Sequence, residues 1–369
     1  MVQISTFFND LARNISTRSP RKMCHYAKSD TLDSIIKEPR SDGLTSTSPT
    51  VVDANSSTNF TSIYSKRGQK GINQDCFVVW EEFGYQNDMV FCGVFDGHGP
   101  WGHLVSRKVR KLMPASLLRN WQSALVQNSL DEVVFDLEFE RNLWLLETWK
   151  KCFLKTCLSI DEELDQHPDI DSFYSGTTAL SVIRQANTMI VANVGDSRSV
   201  LATTDDDGSL VPIQLSVDFK PNLPQESERI KNSGGRVFSS RDERGLYRIW
   251  LPKGECFDGP GLALSRALGD HFIKDFGLIS EPDVIQRRIT SKDHFVILAT
   301  DGVWDVISNQ EAIDIVASSP ERQEAAKRLV KCAAREWKRK RPGIVRDDIS
   351  AVCLFFHDAS DLSSPPKII

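Results

Sequence analysis

The feature that most constrains this chain is a set of short apolar runs that meet aspartate at one end. Residues 89–95 run into Asp96-Gly97-His98-Gly99, and residues 295–300 into Asp301-Gly302-Val303-Trp304-Asp305. The run 351–356 follows Asp347-Asp348-Ile349-Ser350, and the run 76–80 follows Asn73-Gln74-Asp75. Runs this short, apolar and partly β-branched read as strands, and their near-continuous hydrophobicity predicts sheets covered on both faces. Residues 180–183 and 188–194, separated by Gln185-Ala186-Asn187, predict a hairpin. Residues 199–203 and 210–215, separated by Asp205-Asp206-Asp207-Gly208, predict another. Consecutive hairpins imply antiparallel sheet.

Helices are fewer. Leu145, Trp149, Phe153, Ile160 and Leu164 form an apolar stripe that Pro168 ends. Ser308 with Glu311 predicts a capping box for a helix beginning near Asn309. Ser319, with Pro320 in the first turn, predicts the cap of a last helix whose buried face is Ala326, Leu329, Val330, Ala333 and Trp337. The run Lys338-Arg339-Lys340-Arg341 reads as a solvated helix end favoured by the helix dipole, with a nuclear localisation patch as the alternative. Residues 1–58, rich in Ser, Thr, Asp and Gly from 41 onward, read as a flexible tail, residues 59–357 as the globular domain, and residues 358–369 as a short second tail.

Composition excludes several classes. A net charge of −5 provides no basic field for nucleic acid, and no basic, aromatic-rich stripe is present, which also argues against a metal-dependent nuclease. No apolar run approaches the length of a membrane span. The eight cysteines form no C-x-x-C pair, which argues against a zinc ribbon; Cys92 and Cys353 lie in apolar runs and read as small buried hydrophobes. A reducing compartment, cytoplasmic or nuclear, and a monomeric state are the expectations.

A single aspartate at a strand end is ordinarily a turn former. Several at the ends of strands that share a rim can converge, and converging carboxylates repel one another unless a cation compensates them. All-oxygen ligation suits Mg²⁺ or Mn²⁺, and glycine after Asp96 lets a backbone carbonyl approach as well. A pair of such ions would activate a bridging water for in-line attack on a phosphoryl group. His98, two residues beyond Asp96, has the chemistry to protonate the leaving oxygen.

These motifs resemble the protein phosphatase 2C family, and its plant members most. The resemblance covers about residues 60–357 and rests on an ordered series. The series is Gly71-Ile72-Asn73-Gln74-Asp75; Val94-Phe95-Asp96-Gly97-His98-Gly99; Ser175-Gly176-Thr177-Thr178-Ala179; and Val191-Ala192-Asn193-Val194-Gly195-Asp196-Ser197-Arg198. Then come Gly261-Leu262-Ala263-Leu264-Ser265-Arg266-Ala267-Leu268-Gly269-Asp270; Leu298-Ala299-Thr300-Asp301-Gly302-Val303-Trp304-Asp305; and Asp347-Asp348-Ile349-Ser350.

The resemblance implies an α+β fold: a four-layer αββα sandwich, two antiparallel sheets flanked by helices. It implies a protein serine/threonine phosphatase acting on phosphoserine and phosphothreonine proteins with two Mg²⁺ or Mn²⁺ ions. Asp96 would bridge both metals, Gly97 would give a carbonyl, and Asp301 and Asp347 would complete the first metal site. Asp75 would hold water bound by the metals, and Asp196 and Asp305 would form a weaker third position. His98 would be the general acid, and Lys70, rather than Arg67, would grip the phosphate, as a point charge without arginine's fork.

The sequence departs from the family pattern in places. Gln74 stands where many members have Glu, which predicts weaker metal binding and a need for millimolar metal. Pro100 replaces a common glycine. Asp348 replaces the usual Asn, which leaves open whether Asp347 or Asp348 binds metal. The segment 238–261 is a long flap beside the site in which Trp250 serves either docking or packing. A catalytically dead, phosphoprotein-binding scaffold is the competing reading; retention of Asp96, Asp301 and Asp347 favours activity.

Overall fold

The computed structural model describes residues 60–130, 138–240, 245–252 and 261–357. The expected tails lie outside them. In chain order the described elements are β1 (Thr61–Lys66), β2 (Asp75–Trp80), β3 (Met89–His98), α1 (Gly102–Leu130), α2 (Glu138–Asp165), β4 (Gly176–Thr177), β5 (Ala179–Gln185), β6 (Thr188–Val194), β7 (Arg198–Thr204) and β8 (Leu210–Gln214). They continue with α3 (Pro224–Asn232), β9 (Arg236–Ser239), β10 (Tyr247–Trp250), β11 (Leu268–Gly269), β12 (Asp283–Arg288), β13 (Asp293–Ala299), α4 (Asp301–Trp304), α5 (Asn309–Ala317), α6 (Ala325–Lys340) and β14 (Ile349–Phe355).

One sheet has the order β1-β14-β13-β7-β8. The other has the order β11-β4-β3-β5-β6-β12, with β2 pairing the free side of β3. Every pairing is antiparallel. Both expected hairpins form: β5 and β6 close at Gln185↔Thr188, with Ala186 at a positive φ of 49°, and β7 and β8 close at Thr204↔Leu210.

The period of two along each strand sorts side chains between layers. On β14, Ile349, Ala351, Cys353 and Phe355 pack with Ile313, Leu329, Val330 and Trp337 of α5 and α6. The alternate residues, Val352 and Leu354, pack across the sandwich with Val94, Leu180 and Val182. On the second sheet, Phe91, Phe95 and Ile183 turn the other way, onto Val105, Val109, Trp149 and Phe153 of α1 and α2. Three apolar interfaces make four layers, helix–sheet–sheet–helix, as the resemblance implies. Since both faces of each sheet are covered, the central strands read as unbroken apolar runs rather than alternating ones.

One helix is not anticipated, and one helical expectation needs correction. The 29-residue α1 is not marked in the sequence reading. Its buried positions Val105, Val109, Met113, Leu117 and Trp121 recur every fourth residue, but Pro114 interrupts the pattern. The last helix does not begin at Ser319-Pro320. Ser319 Oγ donates to the Ile315 carbonyl at 2.9 Å and so closes the end of α5, while α6 starts at Ala325 after a short 3₁₀ turn. The capping box at Ser308 forms as expected: Glu311 N–H donates to Ser308 Oγ at 3.2 Å, and Ser308 N–H donates to Glu311 Oε2 at 2.8 Å.

Candidate active site

Backbone pairing brings the aspartates to one end of the sandwich. Asp75 opens β2 and stands directly opposite Asp96 near the end of β3. From the other sheet, Asp301 follows β13 and opens α4, and Asp347 immediately precedes Asp348 and β14. Asp196 lies in the tight connection between β6 and β7, after Gly195. Thr300 ties the sheets together: its hydroxyl donates to Asp75 Oδ2 at 2.9 Å and accepts the Ser350 N–H at 3.1 Å. Thr178 fixes Asp96, accepting its N–H at 3.0 Å through Oγ1 and donating its own N–H to the Asp96 carbonyl at 2.9 Å. A Cβ at Gly97 would stand 2.4 Å from the Gly102 carbonyl oxygen and 2.7 Å from that of Gln74, so only glycine fits there.

The electrostatics of this end are dominated by unbalanced negative charge. Burial pushes the Asp75 carboxyl up to about 7, with Asp348 and Asp347 adding to the rise and hydrogen bonds from Ser350 and Thr300 opposing it. Burial, then repulsion from Asp75, Asp301, Asp347 and Asp196, raises Asp96 well above the usual carboxylate range. Burial, then Asp196, Asp347 and Asp305, does the same to Asp301, with Lys220 opposing. Two ammonium groups compensate part of this charge. Lys70 Nζ pairs with Asp347 Oδ2. Lys220 Nζ donates to Asp196 Oδ2 at 2.7 Å, and that carboxylate, more than its own burial, sets the direction of its upward shift. Asp305 is exposed and stands 3.8 Å from Arg341.

The structure separates the roles of the adjacent pair Asp347 and Asp348. Asp348 is buried, and both its oxygens are taken by backbone: Gly68 N–H at 2.6 Å and Gln74 N–H at 2.8 Å. It is a brace that holds the 68–75 segment against β14. Asp347 is half-buried, meets Lys70 and accepts the Asp348 N–H at 3.0 Å. Gln74 also serves the backbone: its Nε2 donates to the Gly99 carbonyl at 3.0 Å, a bond a glutamate could not make.

His98, at the end of β3, is a quarter exposed. Its Nε2 lies 2.6 Å from Oδ2 of Asp270, a carboxylate with 1% exposure. Burial lowers the affinity of His98 for its proton, but the Asp270 charge and hydrogen bond, helped by Asp196 and the Asp96 carbonyl, raise it above the ordinary value. In the flap, Trp250 packs: its ring stacks on Phe238 at 4.9 Å and its Nε1 donates to the Phe238 carbonyl at 3.1 Å.

Among the described residues no three His, Cys, Asp or Glu side chains close on a single point as a formed cation site does. By chemistry and charge the aspartates nonetheless fit a hard divalent ion. The donors are all oxygen, the carboxylates raise one another's pKa, and Asp75 Oδ1 is buried with no hydrogen-bond partner. Two side chains that contact this cluster escape the sequence reading: Asp270, quoted inside a motif but given no role, and Lys220, a single lysine in a loop that no spacing marks.

Comparison with known proteins follows the same residues. The family model described as Protein phosphatase 2C matches residues 67–340. Probable protein phosphatase 2C 34 of Arabidopsis thaliana is 55% identical over 368 residues, 99% of this chain and 99% of that protein. Probable protein phosphatase 2C 48 of Oryza sativa subsp. japonica is 48% identical over 373 residues, covering 100% of each chain. Among solved structures, a serine-threonine phosphatase 2C from Toxoplasma gondii superposes with a TM-score of 0.70 at 27% identity, over 84% of this chain and 96% of that one.

Proposed function

The chain belongs to the protein phosphatase 2C family, in company with its plant members, and is a protein serine/threonine phosphatase; from that premise we propose which of its residues perform the hydrolysis. The observation that carries the proposal is the convergence, from both sheets, of buried and half-buried carboxylates that Lys70 and Lys220 only partly neutralise.

Asp96, the Gly97 carbonyl, Asp301 and Asp347 are the residues that would hold a pair of Mg²⁺ or Mn²⁺ ions, with Asp196 and Asp305 at a weaker third position. Such ions, when bound, neutralise phosphoryl charge and activate water. Asp75, with one oxygen on Thr300 and the other unpartnered, orients that water. Lys70 holds the phosphate; its exposed stem lets the ammonium turn from Asp347 to the substrate. His98 donates a proton to the departing serine or threonine oxygen. The Asp270 charge and hydrogen bond outweigh burial and favour its protonated form, the form a general acid starts from.

The test is phosphate release from a phosphothreonine peptide in Mn²⁺ or Mg²⁺, in EDTA, and with Asp301→Asn. Release at millimolar metal that vanishes in EDTA and falls by at least about 10²-fold in the variant is the expected result. The absence of release from a folded sample would sink the assignment and favour a phosphoprotein-binding scaffold. Half-saturation at micromolar Mg²⁺ would contradict the expectation that Gln74, lacking a charge, leaves metal binding weak.

A further inference from the structure

His98 is held from behind by a buried construction that reaches across the fold. Asp270 comes 172 positions later in the chain, just after β11, and its side chain lies 2.6 Å from His98 Nε2. Nothing at Asp270 is left to local preference. Its backbone sits at a positive φ of 54°, unusual for a residue other than glycine. Its N–H donates to the Ser175 carbonyl at 2.9 Å. The space for the pair exists only because residue 176 is glycine: a Cβ there would stand 2.1 Å from Asp270 Oδ2 and 2.8 Å from His98 Nε2.

Behind Asp270 stands a second carboxylate. Asp161, on α2, accepts the Gly269 N–H at 2.8 Å, the Ser280 hydroxyl at 2.7 Å and the Lys274 ammonium at 3.0 Å. Lys274 also donates to the Ala267 carbonyl at 2.8 Å and to Ser280 Oγ at 2.6 Å. Three contacts to Asp161, backed by two more from Lys274, thus pin the chain either side of Asp270 to an outer-layer helix.

We propose that Asp270 is the positioning residue of the proton donor, fixing the His98 ring through Nε2, and that Asp161 holds Asp270 in place. The proposal rests on the reading of His98 as general acid. The proton delivered is one that the His98 imidazolium carries while Asp270 fixes the ring. As the P–O bond breaks, the bond's electrons go to the serine or threonine oxygen, which takes that proton. Water supplies the oxygen that phosphorus gains, and His98 is left neutral until solvent returns a proton.

The test uses leaving groups of different need. An alkoxide leaving from a phosphothreonine peptide requires the proton, whereas p-nitrophenolate, a stable anion, leaves without it. Asp270→Asn keeps the shape but presents an amide to Nε2. It should lower kcat on the peptide by about 10²-fold with little change in KM, and leave p-nitrophenyl phosphate turnover within about threefold of wild type. Gly176→Ala, which leaves both side chains intact but crowds them, should give the same split, and Asp161→Asn a smaller one. Equal losses on both substrates, or no loss on either, in folded Asp270→Asn and Gly176→Ala samples would overturn the proposal. His98→Gln separates the two readings. If it shows the split and the Asp270 and Gly176 variants do not, the positioning role fails alone; if it shows no split, the general-acid reading fails with it.

Discussion

Single residues decide how this site is held. Asp348 accepts two backbone N–H groups from the 68–75 segment, so Asp348→Ala strands both donors in a part-buried place. A loss of about 2–4 kcal/mol in urea unfolding in EDTA is expected, and a change under about 0.5 kcal/mol would show that the brace is dispensable. The aspartates that meet at this end of the sandwich were legible in the sequence because they stand at the boundaries of apolar runs, where a strand end fixes their position. Asp348 was visible too, but not its job, because the partners at Gly68 and Gln74 lie about 280 residues away. Asp270 and Lys220 were illegible for a related reason: each acts on a residue from a different strand end, through contacts that exist only after folding. The expectation for Gln74 concerned the charge it lacks, whereas the structure shows what its amide does on the Gly99 carbonyl.

At the scale of elements, legibility follows local rules. Hairpins and the capping box are set by residues within a few positions of one another, and they formed where expected. Ser308→Ala removes the side-chain half of that box and should cost about 1 kcal/mol, measurable as a shift in the urea midpoint with an unchanged slope; an unchanged midpoint would mean the burial of Ala312 and Ile313 alone holds α5. Helix α1 escaped because Pro114 and many polar side chains obscure its stripe, and α6 starts late because Ser319 serves the helix before it. The basic run ending α6 reads in the structure as paired charge. Arg339 meets Glu336, Lys340 donates to the Val306 carbonyl at 2.6 Å, and Arg341 approaches Asp305. Those contacts agree with a helix end that turns its basic side chains onto its own neighbourhood.

The whole molecule feels pH through two opposed sets of carboxylates. Glu226, buried between Arg229 and Arg266, has its carboxyl pulled down to about 2: burial raises it, but hydrogen bonds from both guanidinium groups outweigh that. Its folded pKa lies below the unfolded value, so its stabilisation is full above about pH 4.5 and fades as pH falls toward 2. Asp75 is the reverse: raised to about 7, it favours the folded state below about pH 4, and that advantage is lost as pH climbs through 7. In the metal-free protein, Glu226→Gln should therefore flatten the acid limb of a Tm–pH curve, and Asp75→Asn the limb between about pH 4 and 7. An Asp75→Asn curve parallel to wild type across that window would show that its ionisation is not coupled to folding. A different property follows from the pairing of β1 with β14, the first and last strands of the sandwich, where Thr61 lies opposite Leu354. The core closes on itself like a ring of text, so the order in which its strands are read is a convention of where the chain was cut. What the chemistry requires is which strand ends stand together, and a chain joined across β14 and β1 and reopened at the 205–208 turn would keep every such neighbour.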